Sequence, residues 1–160
     1  MSRGLLEVVV VAASGLPNVD FLTDKIDPYV VVQYKGQERK TSIARGQGGN
    51  PEWHQKLTFR AEYPGSGSDY HINLKLMDHD TFSSDDFIGQ TMINVEDLLG
   101  LGVENGSYEM NPTKFRVIGN DKSYHGEIKV GVKFTKTSDY NGDEEEFGGW
   151  KNSYGDESDD

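Results

Sequence analysis

The sequence contains no cysteine. Disulfides, thiolate metal sites and a cysteine nucleophile are excluded, so the fold must be held by its packing. One domain of 160 residues can bury a core of that size without covalent staples. Long apolar runs are missing as well. The N-terminal Leu5-Leu6-Glu7-Val8-Val9-Val10-Val11 is too short and too β-branched for a membrane span or a signal peptide. Ser2 stands where N-myristoylation requires glycine. These absences predict a cytoplasmic protein. Asn105-Gly106-Ser107 matches a glycosylation sequon, but with no secretory route it reads as a turn.

Catalytic signatures are also lacking. His54, His71, His79 and His125 have no metalloprotease spacing, and there is no Gly-x-Ser-x-Gly elbow or phosphate-cradling loop. Strand alternation predicts that His79 points away from its aspartate neighbours. The chain is not expected to be an enzyme. Basic residues are in the minority, 16 Lys+Arg against 27 Asp+Glu, and they are dispersed. The aromatic strand motif of common RNA-binding modules is absent, so nucleic acid is not an expected partner.

What is present is acidity, unevenly placed. Residues 1–137 hold 18 acidic and 15 basic residues, whereas residues 138–160 hold nine and one. The expected organisation is a domain over 1–137 and an acidic, disordered tail over 138–160. Within that tail, Phe147-Gly148-Gly149-Trp150-Lys151 forms an aromatic island. It reads either as a segment folded back on the domain or as a short protein-binding motif.

Strand signals dominate the rest. Short apolar or alternating runs occur at 5–13, 28–35, 38–44, 55–62, 70–78, 87–95, 113–118 and 126–135, separated by turn residues. Tyr34-Lys35-Gly36-Gln37 reads as a hairpin turn, and only 95–100 has helical character, ended by Gly100. The predicted fold class is all-β, an eight-stranded antiparallel β-sandwich.

Two acidic clusters interrupt these runs: Asp20 and Asp27 ahead of Pro28-Tyr29-Val30, and Asp78, Asp80 and Asp86 ahead of Phe87-Ile88-Gly89. Crowded carboxylates repel one another and call for a cation. In a sandwich, loops at one end converge, and a cup of aspartates completed by carbonyls and water suits calcium. An EF-hand is excluded: its sixth and twelfth positions, counted from Asp78, are Ser83 and Gly89, and no amphipathic helices flank the loop.

The ordered set Gly15-Leu16-Pro17-x-x-Asp20…Asp27-Pro28-Tyr29-Val30, Asn50-Pro51-Glu52-Trp53 and Asp78-His79-Asp80…Asp86-Phe87-Ile88-Gly89 resembles a C2 domain over roughly residues 4–136. The first and last strands suggest the circularly permuted, type II order. Tyr34-Lys35-Gly36-Gln37, Glu62-Tyr63-Pro64-Gly65 and the tail's aromatic island resemble the small single-domain C2 proteins of plants, the elicitor-responsive and small phloem-protein group.

The resemblance implies two Ca²⁺ ions held by Asp20, Asp27, Asp78, Asp80 and Asp86, with backbone carbonyls near Val19 and His79. Asp85 and Asp24 are candidate auxiliaries, Asp24 because seven positions separate Asp20 from Asp27 where the family more often has six. Two ions would convert the −3 of residues 1–137 to +1, which favours anionic surfaces. Phe21, Leu22 and Phe82 at the loop rims are candidate membrane-insertion residues, since each buried large apolar side chain is worth roughly 1.5–3 kcal/mol. Val31, Val32 and Gln33 lack the lysines of a phosphoinositide groove, so Lys35, Arg39, Lys40, Lys56 and Lys75 leave only a weak one.

The expectation is therefore a monomeric, calcium-dependent phospholipid-binding module. It would move from cytoplasm to the plasma membrane when calcium rises, in plant defence or stress signalling. The alternative is an RNA- or protein-trafficking adaptor of the small phloem-protein type with calcium-independent partners.

Overall fold

The computed structural model describes residues 1–19 and 25–137. The expectations for residues 138–160, including the Phe147/Trp150 island, lie outside the described residues. Eight strands and one helix follow in order: β1 (Ser2–Ser14), β2 (Pro28–Tyr34), β3 (Gln37–Lys40), β4 (Glu52–Tyr63), β5 (His71–Asp78), β6 (Asp86–Asn94), α1 (Glu96–Asn105), β7 (Ser107–Ile118) and β8 (Tyr124–Lys136). No described helix is long and apolar enough to cross a membrane.

Alternation builds the core. In β5, Ile72, Leu74 and Leu76 are fully buried while His71, Asn73 and Lys75 lie on the other face. Leu6, Val8 and Val10 of β1 and Ile128, Val130, Val132 and Phe134 of β8 face them in one continuous apolar cluster. All strand pairs are antiparallel, in the order β3-β2-β5-β6-β7-β8-β1-β4. This is the type II order. A single pair, Gln90 with Ile118, joins the two four-stranded layers between β6 and β7. Gly89 sits at that joint because a Cβ there would meet Val117 Cγ1 at 2.6 Å and Ile118 O at 2.9 Å. On the opposite side the Gln37 side chain takes both backbone groups of Arg60, donating at 2.7 Å and accepting at 2.9 Å. That contact occupies the free edge of β4 at Arg60.

The hairpin turn lies where the sequence placed it. Lys35 and Gly36 have φ of 43° and 81°, the doubly positive geometry of a type I′ turn. Two elements differ most. The helix does not stop at Gly100 but runs to Asn105 and ends at Gly106, whose φ is 89°. Packing overrides the weak helix propensity of Gly100 and Gly102, because the Phe134 ring lies 2.5 Å from where a Gly102 Cβ would be. The seventh strand begins at Ser107 rather than 113, with a register shift between Met110 and Thr113. Pro112 lies in that irregularity, where a missing N–H does not break the ladder, and this hid the strand in the sequence.

Antiparallel pairing decides where the loops go. The end of β1 pairs with the start of β4 at Ala12 and Glu52, and the start of β2 with the end of β5 at Pro28 and Asp78. Asp78 also pairs with Asp86 at the start of β6. The β1–β2, β3–β4 and β5–β6 connections therefore share one pole.

Candidate functional site

At that pole the described aspartates come from strand ends that pair directly. Asp78 closes β5 and is 1% exposed, and its Oδ1 accepts the Asp27 amide at 2.9 Å. Asp27 Oδ1 accepts the Gly46 amide at 3.1 Å, which ties in the β3–β4 connection, and Asp27 O accepts the His79 amide at 3.0 Å. The Asn50-Pro51-Glu52-Trp53 motif buttresses the same loops. Asn50 accepts the Gly15 amide at 3.1 Å, Pro51 O accepts Ala13 N at 3.0 Å, and the Trp53 indole donates to Pro28 O at 3.3 Å.

Asp80 shapes the β5–β6 loop. Its Oδ1 accepts the amides of Phe82 at 2.8 Å and Ser83 at 3.3 Å, and its Oδ2 accepts the Ser83 hydroxyl at 2.8 Å. These bonds, the Phe82 amide first, hold its carboxyl below the usual range. The same turn leaves Phe82 92% exposed at the loop tip.

Asp85 is the loop's internal clamp. Its Oδ2 accepts the Tyr29 hydroxyl and its Oδ1 the Asp80 amide at 3.0 Å. His79 Nδ1 lies 3.6 Å from Asp85 Oδ1. The expectation that His79 turns away concerned its chain neighbours Asp78 and Asp80; the aspartate it meets is Asp85, from across the loop. The residue follows the last residue of β5, where alternation no longer fixes its direction. The Tyr29 bond, then the Asp80 amide, keeps the Asp85 carboxyl below its ordinary value. Burial first, and then Asp85, pushes the Tyr29 phenol up to about 12, so it remains a donor. Tyr29 entered the sequence reading only as part of a motif, since its partner is 56 positions away.

A carboxyl held below its unfolded value contributes stability that is complete above about pH 4 and is lost as pH falls through the folded value. Replacing Tyr29 with Phe should therefore raise the Asp85 pKa in calcium-free NMR titration. The stability gap to wild type should be open near pH 6 and narrow below about pH 3. A gap of constant size across that range would remove Asp85 ionisation as its source.

The residues fit calcium in kind. Asp27, Asp78 and Asp86 meet on adjacent strand ends, Asp80 follows in the loop, and every side-chain donor is a hard oxygen. Among the described residues, however, no three acidic or imidazole groups are drawn into one cluster. Val19 is described and packs against the core. Asp20, Asp24, Phe21 and Leu22 lie outside the described residues.

Fold and loops together define a β-sandwich module with acidic apical loops. The sequence model of the C2 domain matches residues 4–110, and the chain belongs to that family. It is 53% identical over 154 residues to 16 kDa phloem protein 1 of Arabidopsis thaliana, covering 96% of this chain and 98% of that one. It is 50% identical over 153 residues to elicitor-responsive protein 1 of Oryza sativa subsp. japonica, covering 94% and 96%. A solved C2 domain-containing protein from an elicitor-responsive gene superposes with a TM-score of 0.66 at 32% identity, over 87% of this chain and 93% of that one. The two sequence relatives are named for phloem and for an elicitor response, not for a reaction.

Proposed function

We propose that this protein is a non-catalytic module that binds anionic phospholipid when calcium rises. The observation that carries the reading is the meeting of Asp27, Asp78, Asp80 and Asp86 at one pole beside a solvent-exposed Phe82. Membership of the C2 family supports it. Asp27, Asp78, Asp80 and Asp86 would hold the metal, with Asp20 as a further ligand. Calcium bound there would supply positive charge and open coordination positions for lipid phosphate oxygens. The chain's own contribution is a rigid frame: Tyr29 and Asp85 fix the loop, and Asp80 sets the turn that presents Phe82. Phe21 and Leu22 would add apolar contact. With −3 on residues 1–137, two ions reverse the sign of the domain. The switch is electrostatic and needs no refolding. The protein acts as a monomer that passes between cytoplasm and plasma membrane, in defence or stress signalling.

Co-sedimentation with phosphatidylserine vesicles tests this directly. Pelleting should occur in calcium and not in chelator; equal pelleting in both would sink the reading. Phe82→Ser should weaken vesicle binding by about tenfold, the value of losing a partly inserted aromatic ring. Its calcium affinity without lipid should stay at the wild-type level; if vesicle binding also stays there, Phe82 does not insert.

The likeness to 16 kDa phloem protein 1 favours one second reading, a trafficking adaptor with calcium-independent partners. Retention of RNA in chelator, with no lipid pelleting in calcium, would select it.

A further inference from the structure

At the pole opposite the aspartate loops, beside the β2–β3 turn, lies a cavity of about 830 Å³. Arg3 of β1, Lys35 of the turn and Arg60 of β4 line it, and Glu62 is the one carboxylate among its described lining residues. Arg3 Nε lies 3.4 Å from Glu62 Oε2 with both side chains about half exposed, so water screens that pair and it binds Arg3 only weakly. Gln37 holds the Arg60 backbone, while the Arg60 guanidinium makes no ion pair with any described residue. Leu5, 41% exposed, adds apolar surface to the same wall.

The chain leaves the domain at this cavity. Thr137, the last described residue, stands in its wall, where its amide donates to Arg3 O at 2.9 Å and its hydroxyl to the same oxygen at 3.1 Å. Residues 138–160 hold nine acidic residues and one basic, and four of the nine are consecutive: Asp143-Glu144-Glu145-Glu146, with Phe147 directly after. Asp143 lies six positions beyond Thr137, which gives a reach of up to about 20 Å. A run tethered so closely meets the cavity at an effective concentration on the order of millimolar, so ion pairs that are weak singly suffice together. Charge also selects the place. Residues 1–137 carry −3 and repel the run on the whole, the aspartate pole most of all, whereas the cations of this cavity surround its point of attachment.

We propose that this chain's own residues 143–147 fold back onto the cavity, with the acidic run on Arg3, Lys35 and Arg60 and the Phe147 ring against Leu5. The tail then acts as an intramolecular cover that neutralises the cationic end of the domain. The contact needs no calcium, and its test is run in chelator, so it stands or falls apart from the calcium reading.

Because the chain has no cysteine, Asn152→Cys gives the full-length protein a single attachment point for a nitroxide. In EDTA and low salt, the NMR signals of the Leu5, Lys35, Arg60 and Ser66 amides should lose most of their intensity, while those of Gly46 and Phe82 at the other pole keep theirs. Salt at about 1 M, which shortens the screening length to about 3 Å, should restore the lost signals. Three variants should each reduce the loss: Glu144→Gln with Glu145→Gln and Glu146→Gln, Arg3→Gln with Arg60→Gln, and Phe147→Ser. Arg3 and Arg60 are exposed, so the fold should persist, which thermal unfolding checks. Signal loss that is absent, that spreads alike over both poles, or that is unchanged in all three variants overturns the proposal. Loss induced in an isotopically labelled wild-type chain by a separate spin-labelled chain assigns the contact to a second copy and overturns it as well.

Discussion

Asp78→Asn is expected to lower calcium affinity by roughly 100-fold or more while leaving the domain folded, since affinity in such sites is set by the charge and number of oxygen ligands. Asp78 is the best test residue because it joins both halves of the site. It closes β5, receives the Asp27 amide, and stands opposite Pro28 on one side and Asp86 on the other. Asparagine keeps an Oδ1 that can accept the 2.9 Å bond from Asp27 N. What it removes is the charge. In chelator the variant should be as stable as wild type or more so, because one of several mutually repelling carboxylates is neutralised. Calorimetric calcium titration and thermal unfolding in EDTA separate the two effects. Asp80→Asn, in an exposed loop, keeps the test open if the buried substitution perturbs folding. Its Oδ1 can still accept from Phe82 N and Ser83 N. Undiminished calcium binding in a variant carrying both Asp78→Asn and Asp80→Asn would disprove the assignment of the site to these loops.

Phe134→Ala should cost about 3–5 kcal/mol of stability. Phe134 is fully buried in β8, between the β1 partner Leu6 and the β7 partner Tyr108. Its ring occupies the space that side chains at two glycines would need. A Cβ on Gly4 would lie 2.7 Å from it and one on Gly102 2.5 Å. The surroundings are rigid strands and the buried face of α1, so the void cannot readily collapse. Urea unfolding should show a lower midpoint with an unchanged slope. A loss under about 1 kcal/mol would mean that β8 is peripheral to the core. The match to the C2 sequence model ends at residue 110, yet β8 lies between β1 and β7 in the sheet order. The cooperative unit is therefore longer than the matched segment.

Much of the fold was legible because it depends on local pattern. Alternation in His71–Asp78 and in Gly126–Thr135, and the Lys35-Gly36 turn, signal strands and a hairpin through short-range stereochemistry. The helix end and the first half of β7 were not legible, because Phe134 and a register shift decided them from a distance. The aspartates of the candidate site announced themselves by crowding. The Tyr29 hydroxyl, the Gly46 amide and the His79 orientation did not, since each partner is remote in sequence or lies just past a strand end.

By itself, then, the sequence determined the all-β class, the family resemblance and the identity of the acidic residues, for these follow from side-chain chemistry and a period of two. The tertiary structure alone decided which aspartate accepts which amide, and that Asp85 serves the loop as a clamp. Those facts arise from antiparallel register, which places residues side by side whatever their separation along the chain.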